Sequence, residues 1–182
     1  MQDARIKIKS FGIYSLLVAS LIVLNSFVPP PKTITQDTTV YVFLSENCPI
    51  CQSYTLTLKQ LDTKYKSKHI RIIGVFPNYY STQETIDEFK KKYAIPFDLV
   101  IDKKGELTKH FKASITPEVF VESPAKKLLY SGRIDDSFYA LGKRRQVITS
   151  TELADAIEEI VSGKPIKITK TQAVGCIITT SK

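Results

Sequence analysis

Residues 38–51 read TTVYVFLSENCPIC, and the meaning of this stretch decides the fold. Thr38 to Leu44 is a run of β-branched and aromatic residues bounded by polar ones, which predicts a buried strand. Two cysteines follow, Cys48 and Cys51, with Pro49 and Ile50 between them. Proline is well placed at the first position of a helix, where its missing N–H costs nothing. Tyr54, Leu58, Leu61 and Tyr65 then recur at helical spacing and give that helix one apolar face. Cys48 is thereby predicted to sit where a strand passes into a helix N-terminus. Unpaired backbone N–H groups and the helix dipole favour an anion there, so the thiol should ionise below the free value of about 8.5. Cys48 is expected to be the more exposed nucleophile. Cys51, one turn further on, is expected to be the resolving thiol.

Working outward, HIRIIGVF (69–76) predicts a second buried strand. Ser81 and Glu84 predict a capping box for a helix whose apolar face is Ile86, Phe89 and Tyr93. Phe97 to Ile101 predicts a short strand, and Asp102 to Gly105 a turn. Leu107 and Phe111 suit a short helix. EVFVES (118–123) and KLLYSGRI (127–134) predict a hairpin. Thr149 and Glu152 predict the cap of a last helix with Leu153, Ile157, Ile160 and Val161 inward. The order β-α-β-α-β-α-β-β-α implies parallel strands joined by crossover helices and an antiparallel closing hairpin, hence a central mixed sheet flanked by helices.

Ahead of this domain, predicted over 38–164, lie two segments of another character. Residues 11–28 form an apolar, uncharged run of about 18 residues, near the lower limit for spanning a bilayer, with basic residues before it and PPPK after it. Residues 1–28 are therefore expected to be a signal peptide or a transmembrane anchor. The positive flank predicts that the rest is translocated. Residues 29–37 read as a linker, and 165–182 as an irregular C-terminal tail. The expected location is the cell envelope, on the periplasmic side, either anchored or secreted after cleavage. A disulfide can persist there. The net charge is +8, with the densest basic patch at GKRRQ (142–146). No nucleic-acid motif accompanies it, so a solvated basic face is the expectation and nucleic acid is not an expected partner.

The cysteine pair admits several chemistries. A structural Cys48–Cys51 disulfide would close too small a loop to stabilise much. Structural zinc needs four ligands, usually from two paired motifs, and only Cys176, His69 and His110 remain, none of them paired. Copper(I) carriage by a cysteine pair and a histidine is a further alternative, since soft thiolates suit that ion. Both histidines nevertheless read as surface residues, and no metal ligand is assigned. The second element of interest is Ile115-Thr116-Pro117, just before a strand. On the residues alone Pro117 is an ordinary trans proline at a strand edge. Were it cis, its loop could face Cys48, and the Thr116 backbone could hold an extended substrate. Cys176, in QAVGCII (172–178), is either a small buried apolar residue or a third redox thiol.

The combination of strand, CPIC, helix and then TP followed by a strand resembles the thioredoxin superfamily. SITPEVFV (114–121), LLYSGRIDD (128–136), ITSTELADAIEEIVSGKPI (148–166) and TQAVGC (171–176) narrow this to a resemblance with the redoxins, the alkyl-hydroperoxide-reductase and thiol-specific-antioxidant-like proteins of bacterial envelopes. The resemblance implies a thioredoxin-like fold, a cis Pro117, and dithiol–disulfide exchange by Cys48 and Cys51. Pro49, Ile50, Thr116 and Pro117 would contact protein thiol or disulfide substrates. It implies no organic cofactor, and it requires a redox partner protein. Two departures stand out. The buried acid that thioredoxins carry six residues before the first cysteine is Val42 here, leaving Glu46, Glu118 or water to move the proton. In the PxxxTxxC pattern of peroxiredoxins, Tyr41 stands for the proline and Ser45 for the threonine, and Arg133 is a distant choice for the peroxide-polarising arginine. Thiol peroxidase activity is therefore the alternative rather than the leading expectation.

Overall fold

The computed structural model of the protein describes residues 37–180. The expected export or anchor segment (1–28) and nearly all of the expected linker lie outside them. Among the described residues no helix is long and apolar enough to cross a membrane.

The TTVYVF segment forms β1 (Thr38–Phe43) in the middle of a five-stranded sheet. It is followed by α1 (Pro49–Tyr65), β2 (Ile70–Phe76), α2 (Gln83–Tyr93), β3 (Asp98–Ile101) and α3 (Glu106–Phe111). Then come β4 (Ile115–Thr116), β5 (Glu118–Glu122), β6 (Leu128–Gly132), β7 (Phe138–Ala140), β8 (Lys143–Arg144), α4 (Glu152–Val161) and β9 (Cys176–Ile177). The main sheet runs β3-β2-β1-β5-β6. β1 pairs parallel with β2, and β2 parallel with β3, whereas β5 and β6 are antiparallel. The sheet is thus the mixed one that the element order implies.

Both faces of β1 are covered, which is why it reads as an unbroken apolar run rather than an alternating one. Val40 and Val42 face the larger core with Leu58 and Tyr65 of α1, Ile86 of α2, and Leu153 and Ile157 of α4. Tyr41 and Phe43 face a smaller core with Phe120, Leu107 and Phe111. Phe111 stacks on Phe120 at 4.9 Å between centroids, and Phe43 meets Phe120 edge-on at 5.5 Å. Such aromatic pairs add about 0.5–1.5 kcal/mol each beyond the area they bury.

Several local expectations shift. α2 is capped not by Ser81 and Glu84 but by Thr82 and Thr85, whose side chains and backbones bond reciprocally. Thr82 has the extended backbone a cap needs, and Ser81 is thereby free to donate to Glu46 at 3.0 Å. α4 starts two residues later than its expected Thr149 cap. Thr149 instead binds Asp136 through both its N–H and its hydroxyl, and Glu152 is paired with Arg133. The basic 142–146 patch lies on the unpredicted β7–β8 ribbon, where Arg145 reaches Asp136 at 3.5 Å and the ring of Tyr139.

The tail is irregular over most of its length but is not free. Thr169 accepts from the Ser131 N–H at 3.0 Å, and the Thr171 N–H returns to the Ser131 carbonyl at 2.9 Å. Gly132, at φ +135°, has no room for a side chain, because a Cβ there would meet the Thr171 hydroxyl at 2.2 Å. The chain then crosses to β4, where β9 pairs antiparallel with it.

Phe43 is fully buried between the ring of Phe120 and the α3 side of the sheet. Phe43→Ala is expected to lower unfolding stability by about 3–5 kcal/mol, read as a lower urea midpoint at an unchanged slope.

Candidate active site

Cys48 occupies the N-cap of α1 with extended backbone (φ −89°, ψ 114°), and Pro49 opens the helix. The Cys48 carbonyl accepts the Gln52 N–H at 3.1 Å, and its own N–H donates to the Ser45 carbonyl at 3.2 Å. β1 carries the chain up to this turn. The turn is clamped from the side by Glu46, whose carboxylate accepts from the hydroxyls of Ser81 and Thr85 at 3.0 Å each.

Thr116–Pro117 is a cis peptide, as the resemblance implies. The Thr116 carbonyl faces Cys48, its oxygen 3.4 Å from the sulfur and within reach of the protonated thiol. Cys48, Cys51, Pro117 and Thr116 therefore meet at one end of the sheet. Of the intervening residues, Pro49 is exposed while the Ile50 side chain is in the core. Ile50 can thus serve the site through its backbone N–H rather than as a contact surface.

The thiols differ sharply in acidity. Cys48 is pulled down to about 5, first by the Cys51 thiol and then by the Cys176 thiol and the backbone N–H groups of Cys51 and Ile50, against the opposing effect of burial. Cys51 is pushed well up, chiefly by burial and then by its anionic neighbour Cys48. Cys176 is pushed up to about 12 by burial and by Cys48. The N–H contribution is the one expected of a helix N-terminus, and the thiol contributions depend on the cluster.

A thiol near 5 is essentially all thiolate at pH 7, about 30-fold more than a free cysteine. The accompanying loss of intrinsic nucleophilicity is also about 30-fold, so the two nearly cancel at neutral pH. The net gains are reactivity in acid and a sulfur that leaves readily from a disulfide.

Three expectations change here. Cys48 is not the exposed member of the pair: it is 1% exposed and Cys51 0%. The reason is the tail, since β9 brings Cys176 opposite Thr116 and against Cys48. Neither candidate proton carrier points to Cys51, because Glu46 is held by Ser81 and Thr85, and Glu118 accepts from the Ser114 N–H at 3.1 Å. Arg133 is bonded to buried Glu152 through Nε at 2.9 Å and also through Nη2, so its guanidinium is committed to a structural ion pair. In the same GRIDD segment, Asp135 accepts from the Tyr54 hydroxyl at 2.5 Å and Asp136 from the N–H groups of Thr149 and Ser150, which makes the motif a structural knot. His69 pairs with Asp37 and His110 with Glu122. Among the described residues no group of three or more His, Cys, Asp or Glu side chains is placed to hold a metal ion. No periodic signal in the sequence announces the β4–β9 pairing that places Cys176, because each strand is two residues long. The Gly175-Cys176 step was its only trace.

The AhpC/TSA family model matches residues 32–131, which include Cys48, Cys51 and the cis-proline Pro117. The chain belongs to the AhpC/TSA family. This redoxin also resembles solved structures. One is a hypothetical protein, SMc02350, of Sinorhizobium meliloti 1021, at 22% identity and TM-score 0.71 over 81% of each chain. Another is a conserved protein of Geobacillus kaustophilus, at 21% identity and TM-score 0.70 over 80% of this chain and 78% of that one. MTB dsbF is 17% identical, with TM-score 0.52, over 69% of this chain and 81% of that one. At such identities these likenesses establish the fold, which is thioredoxin-like. No curated protein matches the chain. Cys176 and α4 lie beyond the residues matched to the family.

In the reduced redoxin, iodoacetamide labelling of Cys48 should follow its ionised fraction. The rate should rise through about pH 5 and be flat from about pH 6 to 8, as read by peptide mass spectrometry. Because the Cys51 thiol is the strongest stabiliser of the anion, Cys51→Ala should move that rise to higher pH.

Proposed function

We propose that this redoxin is a thiol–disulfide oxidoreductase that acts on protein disulfides or thiols outside the cytoplasm. The observation that supports the reading best is the Cys48 sulfur at the N-cap of α1, with Cys51 one turn away and the carbonyl before the cis-proline 3.4 Å from that sulfur. In the reducing direction, the Cys48 thiolate attacks one sulfur of a substrate disulfide and expels the other as a thiolate. A Cys48–substrate mixed disulfide forms. Cys51 then gives up its proton to water, attacks the Cys48 sulfur and releases the second substrate thiolate. The protein is left with a Cys48–Cys51 bond and two electrons lighter. The oxidising direction is the same sequence reversed. Once β9 lifts from β4, Thr116 and Pro117 supply the backbone edge for the substrate, and Pro49 the exposed rim. Ile50 contributes the N–H that favours the anion.

A second protein must restore the dithiol or the disulfide, and no organic cofactor takes part. The apolar segment within residues 1–28 supports delivery to the envelope as a signal or an anchor.

Family membership favours thiol peroxidase activity as the second reading. The geometry favours exchange. The Ser45 hydroxyl is bonded to the Tyr80 phenol at 3.1 Å, and Arg133 is committed to Glu152.

Reduction of insulin disulfides with dithiothreitol as electron donor separates the two readings. Turnover should fall more than about 100-fold in Cys48→Ser, and a variant lacking both other thiols, Cys51→Ser/Cys176→Ser, should accumulate a mixed disulfide with the substrate. Stoichiometric loss of Cys48 thiol on adding hydrogen peroxide, with no insulin turnover, would establish the peroxidase instead.

A further inference from the structure

The exchange reaction uses two cysteines, yet the folded chain brings three together, and the third arrives on a strand. β9 pairs with β4 so that Cys176 lies opposite Thr116 and Ile177 opposite Ile115. The Ile178 N–H extends the pairing to the Ser114 carbonyl at 3.0 Å. Thr179 then binds the Asn78–Tyr79 turn: its carbonyl accepts from the Tyr79 N–H at 3.0 Å, and its N–H donates to Asn78 Oδ1 at 2.8 Å. The strand is seated on the backbone of the residue before the cis-proline, where an extended substrate would have to lie to reach Cys48. Gly175 makes that seat possible. A Cβ at this position would stand 2.2 Å from the Thr116 carbonyl oxygen and 3.0 Å from the Pro117 nitrogen, well inside contact distance. Only a residue without a side chain lets the tail come this close.

We infer that this strand is the protein's own tethered substrate, and that Cys176 exchanges with Cys48 through an internal Cys48–Cys176 disulfide. The inference rests on the thiol–disulfide exchange proposed above. The Cys48 thiolate attacks an external disulfide, so that a Cys48–S–S–R bond forms and RS⁻ leaves. Cys176 loses its proton to water, and its thiolate attacks the Cys48 sulfur. The Cys48–Cys176 bond forms, the Cys48–SR bond breaks, and the second RS⁻ leaves. Two protein thiols have been oxidised and one external disulfide reduced by two electrons. Cys51 can next attack the Cys48 sulfur, which closes Cys48–Cys51 and frees Cys176 with no net change in oxidation state. Cys176 and Cys51 are thus alternative resolving thiols. Ionised Cys48 is one of the causes that hold Cys176 protonated. Bonding of Cys48 to a substrate removes that negative charge, so Cys176 becomes more acidic at the step that needs its anion. Cys51 is wholly enclosed, whereas Cys176 is part-exposed and Ile177 beside it is 79% exposed.

The test uses the full chain with Cys51→Ser, reduced and then treated with one equivalent of oxidised glutathione. The reaction is quenched with an alkylating agent and mapped by non-reducing peptide mass spectrometry. Glutathione should add to Cys48 and then be lost, leaving a linked Cys48–Cys176 peptide pair as the main product. In Cys51→Ser/Cys176→Ser the adduct should persist, with a lifetime longer by roughly tenfold or more. Cys51→Ser/Gly175→Val keeps both reacting thiols but unseats the strand, and its adduct should persist likewise. Circular dichroism confirms that each variant is folded. If the wild-type protein exchanges with glutathione but Cys51→Ser keeps its adduct while Cys176 stays free, the inference is overturned and the proposed function stands. An internal link that forms as fast in the Gly175→Val variant overturns the assignment of β9 as a seated substrate. If folded wild-type protein takes up no glutathione at Cys48, both the function and the inference fall.

Discussion

The backbone N–H groups at the first turn of α1 converge on one sulfur, and the site is arranged around keeping that sulfur charged. A charge at a helix N-terminus is stabilised only while the helix stays where the preceding strand puts it. β1 supplies that constraint, because it is paired on both sides and covered on both faces. The clamp by Glu46 on Ser81 and Thr85 fixes the turn between strand and helix to a second helix. α1 is tied down again in its second turn by the Tyr54–Asp135 bond. The anion is therefore a property of the packed domain rather than of the CPIC sequence alone.

Around that anion the molecule trades exposure for control. Burial opposes ionisation of Cys48, and in isolation it would make a poor nucleophile. The neighbouring thiols and N–H groups more than offset it. The same burial keeps Cys51 and Cys176 protonated while Cys48 carries the charge. Three chemically identical groups are thereby sorted into one anion and two neutral thiols by position alone. Perturbations of this kind are what thiol exchange chemistry requires.

The tail alters how the domain meets its surroundings. In a bare thioredoxin-like domain the edge before the cis-proline would be open backbone. Here β9 pairs with it, and the stretch around Thr169–Thr171 runs beside β6. Unpaired strand edges invite association with other chains, and a covered one does not. The covering strand also encloses Cys48, so the accessibility of the reactive sulfur is tied to the state of the tail.

The sequence by itself determined most of the sheet and helix order. The apolar runs 38–44 and 69–76, the helical face from Tyr54 to Tyr65, and the 118–134 hairpin carry strong periodic signals, and each element forms where those signals lie. It also determined the position of Cys48, because proline at a helix start and a polar turn after a buried strand are local chemistry. The helix caps fall at Thr82 and Thr151, one or two residues from Ser81 and Thr149, because these hydroxyl residues are equivalent in composition and only their tertiary partners choose among them. The tertiary structure alone decided the site's third thiol, the enclosure of Cys48, and the diversion of Arg133 and Glu46 to structural bonds. Each of these joins residues far apart in the chain, Thr116 to Cys176 and Glu46 to Thr85 among them. A pairing two residues long leaves no pattern that either strand's own sequence could display.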